Sequence, residues 1–192
     1  MTRIAHCLLW SLVLLAPAHA AGQTESGNIS VQEEQNKEAA SKARKEVEGL
    51  AELGLNISIR GLAKHGKLYP FAKLVFQTEE GEQMKTLGKK RGTELEPPDK
   101  WTQKLYTSVR KASRNDKLKA AAIFRLHEGK NKEGDVVRGL WALVDHRDHP
   151  PMIFFVPLIE QEDGEHKPGE LVFRGAEQNL FGKVPGKSEN DD

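Results

Sequence analysis

Three apolar segments that follow one another at hairpin spacing constrain this chain more than any other feature. Lys119–His127 alternates, with Ala120, Ala122, Phe124 and Leu126 on one face. Val136–Asp145 sets Val137, Trp141 and Leu143 on one face and Val136, Leu140, Ala142 and Val144 on the other. Met152–Leu158 is apolar throughout. A side-chain period of two is the mark of a strand. The connections Asn131–Gly134 and His146–Pro151 are short and turn-rich. Parallel strands need a crossover of a dozen residues or more, so connections this short predict antiparallel pairing.

Upstream, Lys67–Gln77 reads as another strand, with Ala72, Leu74 and Phe76 opposite Phe71, Lys73 and Val75. Pro70 cannot donate to a ladder and marks the strand's beginning or an edge. Glu79–Glu82 makes a turn, and Gln83–Leu87 returns. Pro97-Pro98-Asp99 opens a helix whose Trp101, Leu105, Ser108, Val109 and Ala112 share a face, ending at Asn115-Asp116. Residues 31–54 predict an amphipathic helix along Ala40, Ala43, Val47, Leu50 and Ala51, with Ser30 and Glu33 as a capping box and Gly54 as its end. Leu55–Arg60 reads as a strand or a link, and Leu171–Arg174 as a last short strand. The expectation is an α+β fold: a single domain over 55–182, two-layer, with an antiparallel sheet of about five strands covered by one or two helices. Residues 21–30 read as a flexible lead and 183–192 as a disordered tail.

The N-terminus predicts export. Arg3 precedes an apolar run from Ile4 to Leu15, Pro17 breaks it, and Ala18-His19-Ala20 places small residues where a signal peptidase reads them. Residues 1–20 therefore read as a cleavable signal peptide, with the periplasm as destination, or secretion as the alternative. Cys7, the single cysteine, leaves with them, so the remainder forms no disulfide and no thiolate metal site. Cleavage also removes Arg3 and no acid. Lys+Arg falls from 29 to 28, against 28 Asp+Glu, and a chain of zero formal charge lacks the basic surplus of a nucleic-acid binder. The apolar run is too short to span a bilayer, so no membrane anchor is expected after cleavage.

Gly66-Lys-Leu-Tyr-Pro-Phe-Ala72 ahead of a hairpin, the alanine-rich Lys119-Ala-Ala-Ala-Ile-Phe124, Leu140–His146, and Phe154-Phe-Val-Pro-Leu158 resemble a loose group of uncharacterised bacterial small α+β proteins with a "YPFA" strand start. The likeness covers about residues 60–160. It implies a small sheet-and-helix domain of the general profilin or roadblock shape, and it brings no reaction and no site residue.

Candidate chemistry is sparse. His146 and His149, flanked by Asp145 and Asp148, are the one local cluster of metal-ligand types, but a closed site needs three or four converging ligands. A polar hairpin turn, stiffened by Pro150-Pro151, is the preferred reading of the cluster. There is no Gly-x-Ser-x-Gly elbow and no cysteine nucleophile, and Gly88–Gly92 lacks the spacing of a phosphate loop. No catalytic residue and no cofactor is expected. Two charged surfaces are candidates for binding another protein: the basic Arg110, Lys111 and Arg114, and the acidic Glu160, Glu162, Asp163 and Glu165. The leading expectation is an exported protein-binding module, an inhibitor or an immunity protein against a secreted toxin. The alternative is a small-molecule or metal-binding module with Trp101 or Trp141 lining a pocket. A hydrolase with a dispersed site is the weaker alternative.

Overall fold

The computed structural model describes residues 25–88, 96–130, 133–162 and 166–182. The expected signal peptide over 1–20, residues 21–24 of the expected lead, and the expected tail from 183 onward lie outside them. The chain divides at Gln35/Asn36 into two compact units. The described part of the first is helical. In chain order the elements are α1 (Glu25–His65), β1 (Phe71–Thr78), β2 (Gly81–Leu87), α2 (Pro98–Ala112), β3 (Leu118–Lys130), β4 (Val136–His146), β5 (His149–Glu160), β6 (His166–Pro168) and β7 (Val172–Gly175).

All strand pairs are antiparallel, in the order β2-β1-β3-β4-β5-β6, with β7 also on β5. The α+β expectation holds: two helices pack on an antiparallel sheet. The sheet has seven strands rather than about five. The surplus comes partly from β6, which lies inside the charged stretch after Glu160. Its three residues, His-Lys-Pro, carry no apolar alternation to reveal it.

The period of two sorts the core. On one face Phe71, Val75, Ala122, Phe124, Leu140, Ala142, Phe154 and Val156 pack against Val47, Leu50, Ala51 and Leu55 of α1. On the other face Ala72, Leu74, Ala121, Ile123 and Leu143 pack against Leu105 and Val109 of α2. Each helix thus makes a helix-on-sheet layer with its own face. The β4 segment serves both faces because its neighbours β3 and β5 hold it in the middle of the sheet.

The expected helix at 31–54 is longer at both ends. Residues 25–30 are helical rather than a flexible lead. Gly54 does not end the helix, and Leu55–Arg60 is neither strand nor link. Leu55 and Ser58 extend the buried stripe of Ala43, Val47, Leu50 and Ala51 at helical spacing. Ser58 Oγ donates to the Gly54 carbonyl at 2.8 Å, a bond that fits inside a helix. The helix closes where the Gly66 N–H meets the Leu62 carbonyl at 2.7 Å.

Candidate functional site

The second helix sits over β1 and β3. On the same face, the part of the sheet built by β4, β5 and β7 lies beyond it. Strand register places Trp141 opposite Phe155, Leu143 opposite Ile153, Phe155 opposite Val172 and Ile153 opposite Arg174. Side chains of directly paired residues share a face. Trp141, Ile153, Phe155 and Val172 therefore form an apolar floor, extended by Val137, and the floor bounds a groove of about 370 Å³. The Phe155 ring lies against the backbone at Gly139, where a Cβ would overlap it. The glycine therefore fixes how the ring lines the groove.

The rim is basic. His127, Lys130 and Arg174 line it, and among the described residues no aspartate or glutamate does. Beside it, the Arg125 guanidinium stands 4.7 Å over the Trp141 ring, a cation–π contact across the β3–β4 pair. The buried Arg125 Nε makes no hydrogen bond. Burial, and then the charge of Arg125, push the His127 imidazole below its ordinary value. His127 therefore carries less positive charge than an ordinary imidazole, and Lys130 and Arg174 supply most of the rim's charge.

The expected basic and acidic surfaces do not form one patch. Arg110, Lys111 and Arg114 are exposed at the end of α2 and just beyond it, near the start of β3. Ala120 of β3 pairs with His146, and His146 with His149, the first residue of β5. Glu160 is the last residue of β5, exposed and paired with His166. The 12 residues of β5 put roughly 36 Å between its ends, at ~3.3 Å per residue. Glu162 is exposed near Glu160, while Asp163 and Glu165 lie outside the described residues.

The two candidate metal ligands, His146 and His149, are both engaged within the chain. His146 is buried, and its two ring nitrogens are engaged within the chain. Nδ1 accepts the Asp148 N–H at 3.0 Å, which leaves Nε2 to donate to Glu46 Oε2 at 2.9 Å. His149 Nδ1 donates to the Pro150 carbonyl at 2.7 Å. Among the described residues no group of three His, Cys, Asp or Glu converges for a metal. Trp101 is a framework residue: its indole N–H donates to the Pro70 carbonyl at 2.9 Å and its ring stacks on Tyr69. Trp141 lines the groove over β4 and β5, while Trp101 lines a separate shallow depression with Lys104 and Thr107.

Two polar centres were not foreseen. Glu46 of α1 accepts from His146 and from Lys119 Nζ at 2.8 Å, and Lys119 reaches Glu82 of β2 at 2.7 Å. Partial burial pushes the Glu46 carboxyl up, but the hydrogen bonds from Lys119 and His146, with their charges, outweigh it and hold it below its ordinary value. The buried Asp145 carboxylate accepts the Leu180 N–H at 2.5 Å and the Phe181 N–H at 3.0 Å, which seats Leu180 in the α2-side core. Burial raises its pKa against those two donors. The only sequence signal for Glu46 was its place beside Val47 on the stripe. Asp145 gave none, because its partners come 35 and 36 residues later.

Comparison with protein families, with characterised proteins and with solved structures finds no match to this chain.

Proposed function

We propose that the chain is an exported protein-binding module, of the kind that inhibits or confers immunity to a secreted toxin, and that it docks through the groove over Trp141, Ile153 and Phe155. One observation carries the choice of surface. Val172 stays 54% exposed on the groove face, beside the half-buried Trp141, Ile153 and Phe155. Isolated exposed apolar residues are ordinary, whereas a contiguous apolar patch with a polar rim marks an interaction surface. The export half of the proposal rests on the order of charge, apolar run and small residues in 1–20.

Co-purification from the envelope of the native host, with variants, tests the surface. Val172→Lys adds charge at an exposed position and leaves the core intact. It is expected to release the partner, while the triple variant Arg110→Glu, Lys111→Glu, Arg114→Glu retains it. A partner kept by Val172→Lys and lost by the triple variant moves the site to α2.

A second reading has its own support. A groove of about 370 Å³ falls within the size range of small-ligand pockets, and Trp141 lines it. Trp141 fluorescence titrated with apolar carboxylates separates the two: saturable quenching by a small acid, with no protein partner, favours the ligand module.

A further inference from the structure

We infer that an extended acidic and apolar segment of a partner protein docks along the groove's β7 side, added as a strand to the outer edge of β7, with a carboxylate against Arg174. The inference rests on the reading of this groove as the protein-docking surface and names what docks there.

The backbone argument comes first. Among the described residues β7 pairs with β5 alone, and no described strand covers its other edge. An open edge is a template for another strand, and chains ordinarily blunt it with charge, proline or bulges. The opposite edge of the sheet follows that rule. Strand β2 reads Gly-Glu-Gln-Met-Lys-Thr-Leu, and its Glu82 is tied to Lys119. Strand β7 departs from it. Val172-Phe173-Arg174-Gly175 is exposed throughout, follows the exposed Leu171, and contains one charge.

Side-chain direction comes next. Val172 and Arg174 face the groove, opposite Phe155 and Ile153, while Phe173 faces the other side and touches Phe154 at 6.0 Å between ring centroids. A strand laid along β7 presents alternate side chains to the same face. Its groove-facing residues therefore continue the apolar floor past Val172. Gly175 and the short length of β7 limit the pairing to about four residues, near 13 Å at ~3.3 Å per residue. Side-chain contacts must then supply most of the selectivity.

Charge selects the sign. Arg174 is the one charge of β7 and stands exposed on the groove face, opposite Ile153. Among the described residues it is in no ion pair, whereas Lys104, Lys119 and Arg147 all are. An uncompensated cation beside an apolar floor favours an acid among apolar residues and repels a basic segment.

Selection of random twelve-residue peptides on the full chain tests the inference. Enriched sequences are expected to alternate apolar residues with Asp or Glu. Three measurements on an enriched peptide follow. The variant Arg174→Glu is expected to weaken it at least tenfold, N-methylation of alternate backbone amides is expected to abolish binding, and Val172→Lys is expected to abolish it too. Basic or uncharged consensus sequences, or no enrichment, overturn the inference. A peptide lost with Val172→Lys but indifferent to charge reversal or to N-methylation also overturns it, and leaves the groove as a docking surface of another chemistry. A peptide indifferent to all three changes overturns the docking surface as well.

Discussion

Phe124 is fully buried and stacks on Phe71 at 4.9 Å, so its ring has nowhere to go. Directly above it α1 carries Gly54, and a Cβ there would overlap the ring. Gly49, one and a half turns earlier, faces open space. Alanine is favoured over glycine in a helix interior by about 1 kcal/mol, and overpacking a core costs about 1–3 kcal/mol. The two substitutions should therefore differ in sign. Gly49→Ala is expected to raise stability by up to ~1 kcal/mol and Gly54→Ala to lower it by about 1–2 kcal/mol, measured by urea unfolding. Equal effects would show that α1 does not approach the sheet through Gly54. Asp145 belongs to the same scale. Removing its carboxylate in Asp145→Ala leaves two backbone N–H groups without an acceptor near the buried Leu180. The expected loss is about 1–3 kcal/mol, with Asp145→Asn losing less because its amide oxygen still accepts.

Helix α1 shows at the scale of the element what a sequence reveals and what it hides. Its apolar stripe was legible from Ala43 to Ala51, because spacing alone marks a buried face. Its extent was not, because glycine after such a stripe reads as a stop unless the facing Phe124 is known. The strands β3, β4 and β5 were legible for the same reason in reverse: alternation is local. What escaped were pairings between distant segments. Glu46 joins His146 across 100 residues, and Lys119 joins Glu82 across 37. Those contacts make α1 pH-sensitive. Glu46 is held below its ordinary value of 4.5, so its contribution is fully present above that pH and lost as pH falls through its lower folded value. Asp145 runs the other way. Its raised pKa makes the protonated form the better folded one, so its contribution fades as pH rises past 3.8 toward its folded value. Glu46→Gln is expected to lose about 1–3 kcal/mol at pH 7 and to show a smaller further loss than the parent chain between pH 5 and pH 3, by urea unfolding at each pH. An unchanged acid limb would show that the Glu46 contacts do not hold α1 to the sheet.

Across the whole molecule the two faces of the sheet are unequally covered. Helix α1 supplies a buried stripe from Ala43 to Ser58 on one side. The 15-residue α2 covers β1 and β3 on the other, and Leu180 adds to its core. Among the described residues, what remains open on that side is the groove of β4, β5 and β7. The sequence showed its parts, Trp141 among them, but not their meeting, since Trp141, Phe155 and Val172 come together only through strand register. The charged surfaces at Arg110–Arg114 and Glu160–Glu162 were the more visible candidates because charge runs are contiguous in a chain and grooves are not. Hydrogen exchange of the chain alone and bound to its co-purifying partner decides between them most directly. The account predicts new protection over Val172–Gly175 and over the Val137–Trp141 stretch of β4, with none at Arg110–Arg114. Protection confined to Arg110–Arg114, or to Glu160 and Glu162, with β7 exchanging as in the free chain, would contradict it.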